Sequence, residues 1–145
     1  ILEKSLGAVA KGGSSPLVDV IDYGVPVRAP GLTFMDTPGY DPCSATGQIA
    51  GGANLVVFTT GRGAVFGSKP APTLKLASNS ALARRMADDI DVDCGRVATG
   101  EADLATMGAE VFAAMLAAAS GRRTASEIAG LGDEEFVPWV PDMTF

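Results

Sequence analysis

Two adjacent threonines, an arginine and two lysines fall within 17 residues, Thr59 to Lys75, of the segment ANLVVFTTGRGAVFGSKPAPTLK at positions 53–75. Cationic side chains of this kind pair with carboxylates or phosphates, and a guanidinium does so as a two-pronged donor. Gly61, Gly63 and Gly67 let backbone approach a ligand closely or take positive φ. Thr59, Thr60, Arg62, Lys69 and Lys75 therefore compose a candidate anion site. The competing reading is a glycine-rich surface turn whose basic residues are merely solvated. A second candidate is acidic. Asp36 and Asp41 bracket the turn MDTPGYD, and two carboxylates on a tight loop can hold a divalent cation or serve as acid and base. The alternative is that Asp41 caps a helix and Asp36 ties the turn to backbone amides.

Several familiar sites are excluded or weakened. Gly61, Gly63 and Gly67 read GxGxxxG, one residue off the dinucleotide fingerprint, and Pro70 and Pro72 prevent the long helix that should follow. No GK[ST] triplet supports a phosphate-binding loop of the Walker type. Counting from Asp89, the run DIDVDC opens like an EF-hand loop, but Cys94 replaces the glycine at its sixth place and Gly100 the glutamate at its twelfth. A helix end followed by an alternating strand explains the same acids. Histidine is absent, so no imidazole base or ligand comes from this chain. Cys43 and Cys94 are far apart and read as buried, reduced thiols. A net charge of −6 argues against a nucleic-acid partner, which needs a basic face.

The elements that must position these residues follow from periodicity. Leu55 to Phe58 form an apolar run suited to a parallel sheet covered on both faces, with Thr59 and Thr60 at its carboxyl end, where open parallel sheets bind ligands. Strands are also predicted over 16–23, 32–36, 73–77 and 90–98. Helices are predicted over 41–50, with Asp41 as cap and Pro42 in the first turn, and over 80–88 with Ser80 as cap. A third covers 101–119, with Leu104, Met107, Val111, Phe112, Met115 and Leu116 as a core stripe. Thr124 and Glu127 have capping-box spacing for a short last helix. The tail EEFVPWVPDMTF reads as an irregular strap. Strands alternating with helices over 145 residues indicate one α/β layered domain with a mainly parallel sheet and flanking helices. No apolar run reaches the roughly 18 residues that span a bilayer and no signal peptide opens the chain, so a cytoplasmic, membrane-free protein is expected. ILEKSLGAVAKGG reads as a helix end running into a glycine stop, and the expectation is a fragment of a longer protein.

Taken together, PLVDVIDYG, GLTFMDTPGYDP, ATGQIAGGANLVVFTTGRG, FGSKPAPTLKLASNS and EEFVPW resemble the carboxyl-terminal part of the altronate dehydratase and galactarate dehydratase family, from about Pro16 to Trp139. That family also contains the large subunit of a sulfolactate sulfo-lyase. The resemblance implies a lyase that removes water, or sulfite, from a hydroxylated acid with help from a divalent metal, commonly iron. It implies a variant Rossmann-like fold in the parent, with this chain its latter portion, and a missing amino-terminal part whose cysteines and histidines supply metal ligands. On that reading the substrate is a sugar acid. Arg62, Lys69 and Lys75 pair with its carboxylates, and Thr59, Thr60, Ser78 and Asn79 bond its hydroxyls. Lys69 and Asp36 are the catalytic candidates. A lysine of lowered pKa, Lys69 or Lys75, is one conceivable base, and an electrostatic role is the other. The isolated chain is expected to be inactive, and dimer formation through this region is left open. The rivals are the sulfo-lyase subunit and a noncatalytic anion-binding or oligomerisation module.

Overall fold

The computed structural model describes residues 1–140. It is an α/β arrangement in which every strand pairing is parallel, divided between two small sheets. Strands β1 (Leu17–Ile21) and β2 (Leu32–Met35) form the first sheet. Strands β3 (Val56–Thr60), β4 (Thr73–Ala77) and β5 (Val92–Asp93) form the second, in the order β3-β4-β5. Five α-helices accompany them: α1 (Leu2–Lys11), α2 (Asp41–Ala50), α3 (Ser80–Arg85), α4 (Leu104–Ala119) and α5 (Ala125–Ala129). Among the described residues no helix is long and apolar enough to cross a membrane.

The expected α/β class with parallel strands and flanking helices is found, with the strands divided between two sheets. β2 and β3 are connected through α2 and the turn at Gly51 and Gly52 but do not pair with each other. In the second sheet β4 is central and all five of its residues are buried. Leu74 and Leu76 project from one face of it and pack against Ala118, with Leu55, Val92, Cys94, Val111 and Ala114 around them. Thr73, Lys75 and Ala77 occupy the opposite face, as the strand period of two requires.

The core stripe predicted for α4 needs correction. Of its six residues only Met107 is buried, while Leu104, Phe112 and Leu116 are 79%, 59% and 54% exposed. The helix instead lays Val111, Ala114 and Ala118 on β4. Its sequence is apolar nearly all round, so period alone could not say which face turns inward. Caps shift by a residue at two helices. Tyr40, not Asp41, is the cap of α2, leaving Asp41 at the first helical position, and Asn79, not Ser80, caps α3 through a bond from the Leu82 amide at 2.8 Å. Helix α3 also stops at Arg85, because Asp89 and Ile90 both donate to the Met86 carbonyl and turn the chain toward β5.

Other expectations hold. Thr124 and Glu127 close a reciprocal capping box on α5. The described part of the strap, residues 134–140, is irregular and tied at three points: Gly67 donates to Glu135 at 2.6 Å, Val137 donates to Thr46 at 2.9 Å, and Trp139 donates to the Tyr23 hydroxyl at 3.1 Å. It links the two sheets' neighbourhoods. Positions 141–145 of the predicted strap lie outside the described residues.

Candidate functional site

Strand β3 ends at Thr60, directly opposite Ala77 at the end of β4, so both carboxyl ends and the loops that leave them lie at one edge. The loop after β3 is held by four bonds. Gly63 donates its amide to the Thr60 hydroxyl at 3.0 Å, Ser78 donates to the Thr60 carbonyl at 3.0 Å, and Asn79 Nδ2 donates to the Gly61 carbonyl at 3.0 Å. Arg85 Nη2 donates to the Arg62 carbonyl at 2.9 Å. Gly63 has φ +109°, and a Cβ there would stand 2.2 Å from Met86 Sδ, so this corner needs glycine. Gly95 supports the arrangement from below: a Cβ on it would lie 2.1 Å from the Ser80 amide nitrogen, which lets the turn after β5 tuck under the start of α3.

These contacts open a shallow cleft of about 600 Å³ lined by Asp41 and by residues 57–63, including Phe58, Thr59, Thr60 and Arg62. Arg62 and Asp41 are exposed, and neither forms an ion pair among the described residues. Four of the residues singled out from the sequence thus meet at this edge with Ser78 beside them: Thr59, Thr60 and Arg62 line the cleft, while Asn79 braces the loop. Asn79 is committed to that work, since its amide holds Gly61 and its carbonyl oxygen caps α3.

The other three candidates are placed elsewhere. Asp36 is exposed at the end of β2, in the other sheet, and is not part of the cleft lining. Lys69 pairs with Asp133 at 2.5 Å and follows Ser68, whose amide donates to the Thr73 hydroxyl. It therefore sits at the amino edge of the sheet, about 13 Å along the strands from Thr60. Lys75 is 0% exposed, with no hydrogen-bond partner for its ammonium among the described residues. Burial pushes its pKa below the usual lysine range, and the carboxylates of Asp89, Asp91 and Glu135 pull in the opposite direction. It is not among the residues that line the cleft. Asp41, which the sequence offers either as a cation ligand, acid or base or as a helix cap, lines this cleft. Arg85 was not a candidate from the sequence.

The described residues do not compose a complete metal site. Among the described residues no group of three or more acidic or cysteine side chains comes together. Cys43 and Cys94 are free thiols, and burial followed by the carboxylates of Asp93 and Glu110 raises the Cys94 pKa, which keeps it an inert thiol.

The order of blocks along the chain and this glycine-bounded edge can be matched to known proteins. The profile of the family described as D-galactarate/altronate dehydratase, C-terminal, matches residues 1–144. The chain belongs to this family. Among its relatives, galactarate dehydratase (L-threo-forming) of Escherichia coli (strain K12) is 38% identical over 123 residues, covering 85% of this chain and 24% of that protein. Altronate dehydratase of the same organism is 37% identical over 125 residues, covering 86% of the chain and 25% of the relative. The (2R)-sulfolactate sulfo-lyase subunit beta of Chromohalobacter salexigens is 36% identical over 143 residues, covering 94% of the chain and 35% of the relative. The chain thus spans a quarter to a third of the length of the curated relatives it matches.

Proposed function

We propose that this chain is the carboxyl-terminal α/β domain of a hydro-lyase that dehydrates a sugar acid of the galactarate or altronate type to a keto-deoxy acid. The observation that carries the reading is the exposed Arg62, without an ion-pair partner among the described residues, in a cleft floored by Thr59 and Thr60, in a member of this dehydratase family. Such a cleft suits a small polyhydroxylated carboxylate: the guanidinium takes the carboxylate, and the threonine hydroxyls with Ser78 take substrate hydroxyls. Elimination breaks the C–H bond next to the carboxylate and the C–O bond one carbon further. The enol that remains tautomerises to the keto acid. Charge accumulates on the carboxylate as the proton leaves, and a fixed guanidinium beside it lowers the cost of that charge. Asp41 is the carboxylate that lines the cleft and is placed to accept or return a proton. Lys69, paired with Asp133, acts in this proposal at a distance, and Asp36 contributes to the neighbouring sheet edge. The divalent metal, iron by family resemblance, belongs to the polypeptide beyond this chain, and no step above runs through it.

The second reading, a sulfo-lyase, is favoured by the sulfolactate relative, which matches the largest share of the chain. Elimination of sulfite needs the same carboxylate clamp. The complete gene product, supplied with ferrous iron under anaerobic conditions, is offered galactarate, altronate and sulfolactate separately. Keto acid from a sugar acid supports the dehydratase. Sulfite from sulfolactate assigns the second reading, and binding without turnover on all three assigns a noncatalytic anion-binding module.

A further inference from the structure

Helix α4 carries one charged residue, Glu110, and Arg96 holds it at 2.8 Å. Apart from Thr106 in its first turn, its outward side is apolar. Leu104, Gly108, Phe112 and Leu116 form a single i, i+4 row that is exposed along its whole length, beside a second exposed row containing Ala105 and Ala109. A helix apolar all round is a buried helix in a finished protein. Gly108 adds an independent sign. Glycine in mid-helix costs about 1 kcal/mol against alanine, and nothing lies within 4 Å of where its Cβ would be. Among the described residues no contact explains a glycine there. It leaves a notch in the row between Leu104 and Phe112.

Two occupants could cover this face. A second copy meets a magnitude problem: α4 is about 24 Å long and 10 Å across, a footprint of roughly 240 Å². A stable dimer buries about 800 Å² per partner. A segment of the same polypeptide needs no such area, because it loses no translational freedom on docking. The matched part is only 24% and 25% of the two dehydratases, so chain to provide it exists in the relatives.

We propose that the Leu104–Gly108–Phe112–Leu116 row is the seat of a second, uncharged apolar helix from a longer polypeptide's remaining part, with a branched aliphatic side chain filling the Gly108 notch. The inference rests on family membership and not on the reaction assigned above.

The test uses the complete gene product carrying Ala109→Cys, with Ala87→Cys at an exposed position off this face as control. Maleimide labelling at each position is read by peptide mass spectrometry. The expected result is labelling at position 109 about 100-fold slower than at position 87, and equally slow at two protein concentrations about 100-fold apart. Adding Gly108→Leu blocks the notch and returns position 109 to fast labelling. Fast labelling of Ala109→Cys at both concentrations overturns the proposal, as does protection seen only at the higher concentration, which assigns the face to a second copy. Protection that survives Gly108→Leu overturns the notch.

Discussion

Replacing Lys75 with methionine should stabilise the protein. Lys75 sits in the central strand, 0% exposed, and its ammonium has no hydrogen-bond partner among the described residues. A buried charge without a partner costs several kcal/mol, offset here by the fields of Asp89, Asp91 and Glu135. Methionine keeps most of the volume and the unbranched stem, so packing against the sheet is retained. Replacing a buried ionic group by an apolar one gains about 1–4 kcal/mol in favourable cases, and we expect about 2 kcal/mol, or roughly 6 °C in the unfolding midpoint at pH 7. The pH dependence has a definite sign. The folded pKa of Lys75 lies below the unfolded value of about 10.4. Between the two, the unfolded chain holds the extra proton, so wild-type stability gains as pH rises through that window. Lys75→Met removes this gain. Thermal unfolding followed by circular dichroism at pH 7 and at alkaline pH reads both effects. A midpoint lowered at pH 7 by Lys75→Met would refute the reasoning, because it would mean that the ammonium is favourably paired.

Three further substitutions test the packing. The Asp91 carboxylate accepts from the amides of Lys75 and Ala125, both at 2.7 Å, and so ties β4 to α5. Asp91→Ala should cost about 3 kcal/mol in urea unfolding, from two charge-assisted bonds. Tyr23→Phe removes a hydroxyl that donates to the Cys43 carbonyl at 2.7 Å and accepts from Trp139. The fluorescence of Trp139, the single tryptophan, should then shift at lower urea than the far-ultraviolet signal. Gly95→Ala forces a methyl against the Ser80 backbone and should destabilise by about 1–3 kcal/mol in the same assay.

What could be read from the sequence was decided by local physics. The apolar run at 55–58, the capping box at Thr124 and Glu127 and the proline-bounded strand at 73–77 all carry their own signals, and all are found where they were expected. The division into two sheets depends on which strands become neighbours, a long-range matter that no local signal carries. The inward face of α4 was illegible for a different reason. When every side of a helix is apolar, the choice is made by what the sheet offers, and Leu74 and Leu76 select the small residues Ala114 and Ala118. At the site, the strand-end threonines and Arg62 were legible because parallel sheets expose their carboxyl ends. Lys75 was read by its charge alone, while its place in β4, between Leu74 and Leu76, makes it interior. Asp41 was legible as a loop carboxylate or a helix cap, and it takes the position one residue after the cap.

The central claim is that Arg62 holds the carboxylate of a small hydroxylated acid in the cleft at the end of β3. The measurement that tests it most directly is kcat/KM of the complete gene product on its best substrate, for wild type, Arg62→Lys and Arg62→Ala. Losing two charge-assisted bonds of about 1.5 kcal/mol each predicts a fall of roughly 100-fold in Arg62→Ala, carried largely by KM, with Arg62→Lys in between. An Arg62→Ala enzyme within about twofold of wild type would contradict the account, since a loss that small leaves no room for even one such bond.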